Sequence, residues 1–524
     1  MSLNYMIYKL RTDSKMSQER FAELFGVSRQ SVQKWENGSA IPELPKLIDI
    51  SKHFDISLDA LILERDKRIV ETMNYGKTIK PHYANSLVWE FYASDAMTEY
   101  NQSVDEGLDI ERYKSLFEFV STLPNNEIKK DLGDVLFKII SGAKQKDDYK
   151  YIEPSDLDGI KSLRKEALPL GKVDKSTLES KIHGAWLGRI CGCMHGKPLE
   201  GIRTNELIPF LKETNNYPMY RYVFRSDFKG DIADKFNYNF EGKQYADEID
   251  GMPVDDDTNY VVLAQEIINK YGRDFTPNDV SFAWMDYQPK NAYCTAERVA
   301  FRNFVCGYEP PQSAMYKNPF REWIGAQIRG DYFGYINPGK PEAAAEMAWK
   351  DASISHVKNG IYGEMFASAC IAAAAVTNNM EEIILQGLSQ IPYTSRLYEE
   401  IMFVVESFKR GSDSKFVFSE IHKRYDEYTE HGWCHTVSNA MIVAASLLYG
   451  NGDYGKSVCM AVETGFDTDC NGATVGSVVG MANGIQAIPE CWTKPINDTL
   501  YTSISGLNKL KISDRVKMTM EHIK

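Results

Sequence analysis

Gly465-Phe466-Asp467-Thr468-Asp469-Cys470-Asn471-Gly472, followed by Gly476, Gly480 and Gly484, is the stretch on which the reading of this chain turns. Two carboxylates stand two residues apart where a helix begins. The glycines then recur every four residues and trace one stripe of that helix. Glycine inside a helix costs about 1 kcal/mol relative to alanine, so the stripe predicts close backbone approach. We expect it to bring the 467–469 mouth against a second acidic mouth, Asp255-Asp256-Asp257-Thr258.

Asp467 and Asp469 cannot share one face of a regular helix, but in a first-turn geometry they converge on one ion. Capping explains one acid at a helix N-terminus. It does not explain three adjacent ones, which repel and which a cation would relieve. Carboxylate oxygens suit Mg2+, Mn2+ or Ca2+ rather than Zn2+. An EF-hand fits Asp467, Asp469, Asn471 and Gly472, but its twelfth position is Val478, where a bidentate glutamate is needed. Asp255, Asp256, Asp257, Asp467 and Asp469 are therefore the candidate metal ligands.

At 524 residues the chain is expected to form two or three domains. Its 43% hydrophobic and 25% charged content is that of a globular protein. A net charge of −13 argues against coating nucleic acid, so any DNA-binding part must be local. Nine scattered cysteines, an odd number, read as reduced thiols. Met1 to Leu10 has no signal-peptide core, and the long uncharged run Cys470 to Pro489 reads as a buried helix. A cytoplasmic location without membrane contact is expected.

The patterning predicts an all-α chain in three parts: a helix-turn-helix at 1–65, a helical connector at 66–143, and a large helical domain at 144–524. Ser17 caps a first helix that ends at Gly26, and Ser28 caps a second that stops at Asn37-Gly38. Val27-Ser28-Arg29-Gln30-Ser31-Val32-Gln33-Lys34-Trp35-Glu36-Asn37-Gly38 with Ser17-Gln18 resembles the phage-repressor (Cro/C1-type) helix-turn-helix family. The resemblance implies that Arg29, Gln30, Gln33 and Lys34 face DNA, that Gln18 donates to a phosphate, and that the protein is a homodimer. Residues 1–65 hold nine basic and nine acidic side chains, which leaves little non-specific attraction to DNA.

The larger part resembles the ADP-ribosylglycohydrolase family, relatives of the dinitrogenase reductase-activating glycohydrolase. Lys181-Ile182-His183-Gly184-Ala185-Trp186-Leu187-Gly188 with Gly196-Lys197-Pro198-Leu199-Glu200 resembles its opening motif, and the two acidic stretches resemble its metal motifs. The resemblance implies an orthogonal α-helical bundle, two Mg2+ (or Mn2+) ions, an ADP-ribosyl or nucleoside-like ligand, and hydrolysis at C1″. It makes Glu200 and Asp257 the catalytic candidates. The sequence departs from the family pattern at Asp255 and Cys470, usually Thr, and at His195, usually Asp. A regulator whose large domain senses ADP-ribose, NAD or a nucleoside is the alternative function.

Of the remaining polar residues, His356, Asn359 and Gly465 are candidate substrate contacts, with a buried hydrogen-bond network the rival reading for the first two. His435 reads as a capping or core histidine. Cys191-x-Cys193-x-His195 lacks a fourth zinc ligand. The aromatic stretch Tyr217 to Phe240 is either a substrate-side loop or surface packing.

Overall fold

A computed structural model describes residues 3–56, 61, 82–83, 88–167 and 169–523. The chain divides into two compact units, Met1–His82 and Tyr83–Lys524. Residues 66–81 and 84–87 of the expected connector, and Leu58, lie outside the described residues.

In the first unit the local signals act as expected. Ser17 accepts a hydrogen bond from the Arg20 N–H and caps Gln18–Leu24, and Ser28 accepts from Ser31 and caps Arg29–Glu36. Gly26 turns the chain between them at φ +61°. Leu3–Asp13 and Leu44–His53 complete the bundle around Ile7, Phe21, Val32, Trp35 and Ile50.

The second unit begins earlier than the expected boundary at 144. Ala96–Asp105, Lys114–Thr122 and Glu127–Gly142 form a small core of Tyr92, Tyr100, Phe117, Val120 and Leu136. Buried polar bonds tie it to the large bundle: Arg321 pairs with Glu99 (2.8 Å) and Glu106 (2.6 Å), and Gln102 donates to Glu322 (2.6 Å). Charges removed from water are held only when paired, so residues 88–143 pack as part of this unit instead of spacing two domains.

The remainder is helical, and the single sheet among the described residues is the antiparallel pair Thr499–Tyr501 and Lys509–Lys511. No helix of the described residues is long and apolar enough to cross a membrane. At the centre lies Thr468–Asn483, and its glycine stripe has a partner other than the expected one. It packs on Leu178–Gly196, whose Gly184, Gly188, Gly192 and Gly196 form a matching stripe. The helices run antiparallel: Gly192 meets Gly472, Gly188 meets Gly476 and Gly184 meets Gly480. This glycine-on-glycine crossing sets the end of one helix, with Lys197 and Glu200 just beyond it, beside the start of the other.

Candidate metal centre and cleft

A cavity of about 670 Å³ opens at this junction, lined by Lys197, Glu200, Arg203, Asp255, Asp256, Asp467 and Asp469. Both acidic stretches sit at helix starts: Asp255 precedes Asp256–Tyr271, and Asp467 precedes Thr468–Asn483. Ligand atoms of Cys193, Asp255, Asp257 and Asp469 lie within 4.8 Å of one another, as do those of Asp467, Asp469 and Cys470. The two mouths therefore meet as predicted, although the glycine stripe joins them only indirectly.

The five aspartates differ in circumstance. Asp255 accepts from the Asp257 N–H (2.9 Å) and from Lys197 Nζ (2.6 Å). Burial opposes its charge, but the ammonium, together with hydrogen bonds from Cys193 and the Asp257 N–H, holds the carboxyl below its usual range. Burial, then repulsion from Asp255 and Asp469, raises Asp256 to about 7. Burial and the Asp469 charge push Asp467 well up, and burial likewise raises Asp469. Glu200 is also raised well above a normal glutamate, first by the Asp469 charge and then by desolvation. Asp469 Oδ1 and Asp257 Oδ2 are buried with no hydrogen-bond partner. Carboxylate oxygens that repel one another, two of them without a partner, could hold a cation, with the Cys193 and Cys470 thiols beside them.

Asp257, a catalytic candidate from the sequence, does not line the cavity. Its Oδ1 accepts from the buried Arg189 guanidinium (2.9 Å), which also pairs with Asp331 (2.9 Å). Adjacent residues on a helix point about 100° apart, so Asp256 takes the cleft side and Asp257 the core side.

His356 and Asn359 are likewise not cleft residues. Asn359 donates to Glu322 (2.9 Å) and Glu153 (2.8 Å) and accepts from the Leu397 N–H (3.0 Å). His356 is buried against Ser355, and burial holds its pKa well below normal. Both serve the buried network, the rival reading of this patch. Gly465 is also away from the cavity wall. It turns the chain at φ +77°, where a side chain would meet the Glu427 carboxylate (2.7 Å).

Several site residues escaped the sequence reading. Lys197 lay inside a quoted motif, but its ion pair spans 58 positions and leaves no local signal. Trp89, Trp323 and Trp433 line the cavity, and the Arg203 guanidinium lies 4.7 Å from the Trp433 ring centroid. The aromatic stretch proves to be packing that braces the site: Tyr238 donates to the backbone oxygen of Glu200 (2.8 Å), and Phe210, Phe228 and Phe240 cluster behind it. His195 packs edge-on against Trp492, away from any ligand role. His435 caps Thr436–Gly450 by accepting from the Val437 N–H (3.2 Å), as expected.

On the first unit, Arg29, Gln30, Gln33 and Lys34 are all exposed on Arg29–Glu36. Gln18 is not free for a phosphate as expected, because its Nε2 donates to Glu36 (2.7 Å), which also pairs with Arg11.

Residues 174–520 match the family model described as ADP-ribosylglycohydrolase, and residues 7–61 match one described as Helix-turn-helix. The chain is 39% identical over 62 residues to the HTH-type transcriptional activator BcrR of Enterococcus faecalis, 12% of this chain and 30% of that protein. It thus spans about a third of that relative's length. It is 31% identical over 91 residues to the SPbeta prophage-derived uncharacterized HTH-type transcriptional regulator YonR of Bacillus subtilis (strain 168), 17% of this chain and 83% of that protein. A solved structure described as an ADP-ribosylglycohydrolase-related protein complex aligns at a TM-score of 0.40 and 14% identity, over 66% of this chain and 98% of that one.

Proposed function

This chain belongs to the ADP-ribosylglycohydrolase family, and we propose that its cleft hydrolyses an ADP-ribosyl or related ribosyl glycosidic bond while residues 1–65 bind DNA as a homodimer. The observation that carries the reading is the convergence of Glu200 with Asp256, Asp467 and Asp469 on one cavity.

Asp256, Asp467 and Asp469 would hold the cation, with the orphaned Asp257 Oδ2 within reach of the same cluster. A bound divalent ion supplies charge that orients and polarises ribose hydroxyls. Lys197 already neutralises Asp255. Two ions were expected from the resemblance; a fixed ammonium inside the acidic pole favours one. Glu200, whose pKa the Asp469 charge and desolvation raise, is placed to move a proton at the glycosidic oxygen or an attacking water. Tyr238 holds its backbone, which limits the positions the carboxyl can take.

In the helix-turn-helix, Gln30 and Gln33 suit an adenine edge, Arg29 a guanine edge, and Lys34 a phosphate. Gln18 and Glu36 instead brace the two helices against each other.

Release of free ADP-ribose from ADP-ribosylated substrates, with Mn2+ and with chelator, tests the reading. Wild type should release it only with metal, and Glu200→Gln should lose about 100-fold or more while still binding Mn2+. Equal release by the two proteins refutes the role of Glu200. Absence of release by wild type, with ADP-ribose still bound, favours a ligand-sensing regulator.

A further inference from the structure

Trp89 lines the same cavity as Glu200, Asp256 and Asp469, yet it lies outside residues 174–520. The ordinary explanation is that it merely packs the start of the second unit onto the bundle, since its ring is partly buried there. Its setting says more. The Trp89 backbone has φ +67°, a region that residues with a β-carbon hold only where their surroundings over-determine it.

Those surroundings are the cleft wall itself. The backbone oxygen of Glu90 accepts from Arg302 (2.8 Å), and the Glu90 carboxylate pairs with Lys290 (2.6 Å). Between these two anchors lie Asn291, Ala292, Cys294 and Thr295, which line the cavity. The Arg298 guanidinium sits 4.8 Å from the Trp89 ring centroid and is itself fixed by bonds to the Tyr293 (2.7 Å) and Asn291 (3.1 Å) carbonyls. The ring is thus a pre-positioned aromatic surface, and little side-chain freedom remains to be lost on binding. The wall also carries Trp433, which has the Arg203 guanidinium 4.7 Å from its ring centroid and donates to the Phe466 backbone oxygen beside Asp467.

We propose that Trp89 is a ligand-binding residue that stacks on the flat ring of a nucleotide-type ligand whose ribose lies against Asp256, Asp467 and Asp469 of the same cavity. The inference rests on the function proposed above. It adds that a segment outside the family-matched residues completes the cleft and favours ligands that carry a ring.

Titration calorimetry on the full chain in Mn2+ tests it, with ADP-ribose as the ring-bearing probe and ribose 5-phosphate as the ringless one. Trp89→Ala should weaken ADP-ribose roughly tenfold or more, the usual scale for losing one stacked base. Trp89→Phe should restore most of the affinity, and the binding of ribose 5-phosphate and Mn2+ should not change. Undiminished ADP-ribose binding by Trp89→Ala overturns the assignment. So does equal weakening of both probes, which would make Trp89 a mere support of the wall. Wild type that binds Mn2+ but no ADP-ribose overturns the proposed function and this inference with it.

Discussion

Replacing Gly192 by alanine tests the idea that two helix backbones in contact position the site. A methyl group on Gly192 would sit 2.6 Å from the Gly472 carbonyl carbon and closer still to its oxygen, whereas ordinary contact begins at 3.4 Å. The helices must part by at least about 0.8 Å, and both obstructing atoms are backbone, so no side chain can swing aside. In an exposed helix the same change would stabilise by up to about 1 kcal/mol. Here overpacking of a close-packed core reverses the sign, and a loss of about 1–3 kcal/mol is expected. Gly192 lies just over one turn before Lys197, and Gly472 three residues after Asp469. The separation is therefore felt at the acidic cluster, where a misplacement near 1 Å costs on the order of 100-fold in rate. The matched control is Gly142→Ala, at a helix end with nothing within 4 Å of the added carbon. Thermal unfolding, Mn2+ titration and ADP-ribose release should all worsen for Gly192→Ala and stay near wild type for Gly142→Ala. Unchanged melting and Mn2+ affinity in Gly192→Ala would refute the argument.

Metal linkage is expected to be readable in melting curves. Mn2+ at a hundred times its dissociation constant should stabilise wild type by about 2.7 kcal/mol, and Asp469→Asn should gain nothing while melting higher than metal-free wild type, because a repelling buried charge is gone. His195 is fully buried with neither ring nitrogen bonded, and burial lowers its pKa to about 3. The unfolded chain binds that proton near 6.5, so this contribution to stability is intact above pH 6.5 and declines by about 1.4 kcal/mol per pH unit from there toward pH 3. Denaturant titrations should show that His195→Leu flattens this slope without loss at neutral pH. On the first unit, Gln30→Ala and Gln33→Ala should each weaken operator binding by about 1–3 kcal/mol in gel shifts with melting unchanged, both side chains being exposed. Equal binding to unrelated DNA by wild type would remove the basis for that expectation.

What the sequence determined by itself was local. Ser17, Ser28, Gly26 and Gly38 mark helix ends through bonds and backbone angles that span four residues or fewer, so they were legible without a fold. The acidic mouths were legible for the same reason: adjacent carboxylates declare their repulsion in the sequence. Tertiary structure decided which neighbours those elements have. The stripe from Gly472 to Gly480 announced a close approach, but only the fold names Leu178–Gly196 as its partner, although that helix carries the same four-residue period. Asp256 and Asp257 look alike in sequence, and their separation into cleft and core depends on where Arg189 arrives from a distant helix. Asn359 was misplaced because Lys358–Ala374 is buried nearly all round and offers no amphipathic pattern to assign its faces. Trp89 and Lys197 join the site through contacts dozens to hundreds of residues long. Long-range packing selects such pairs, and no periodicity of the chain encodes it.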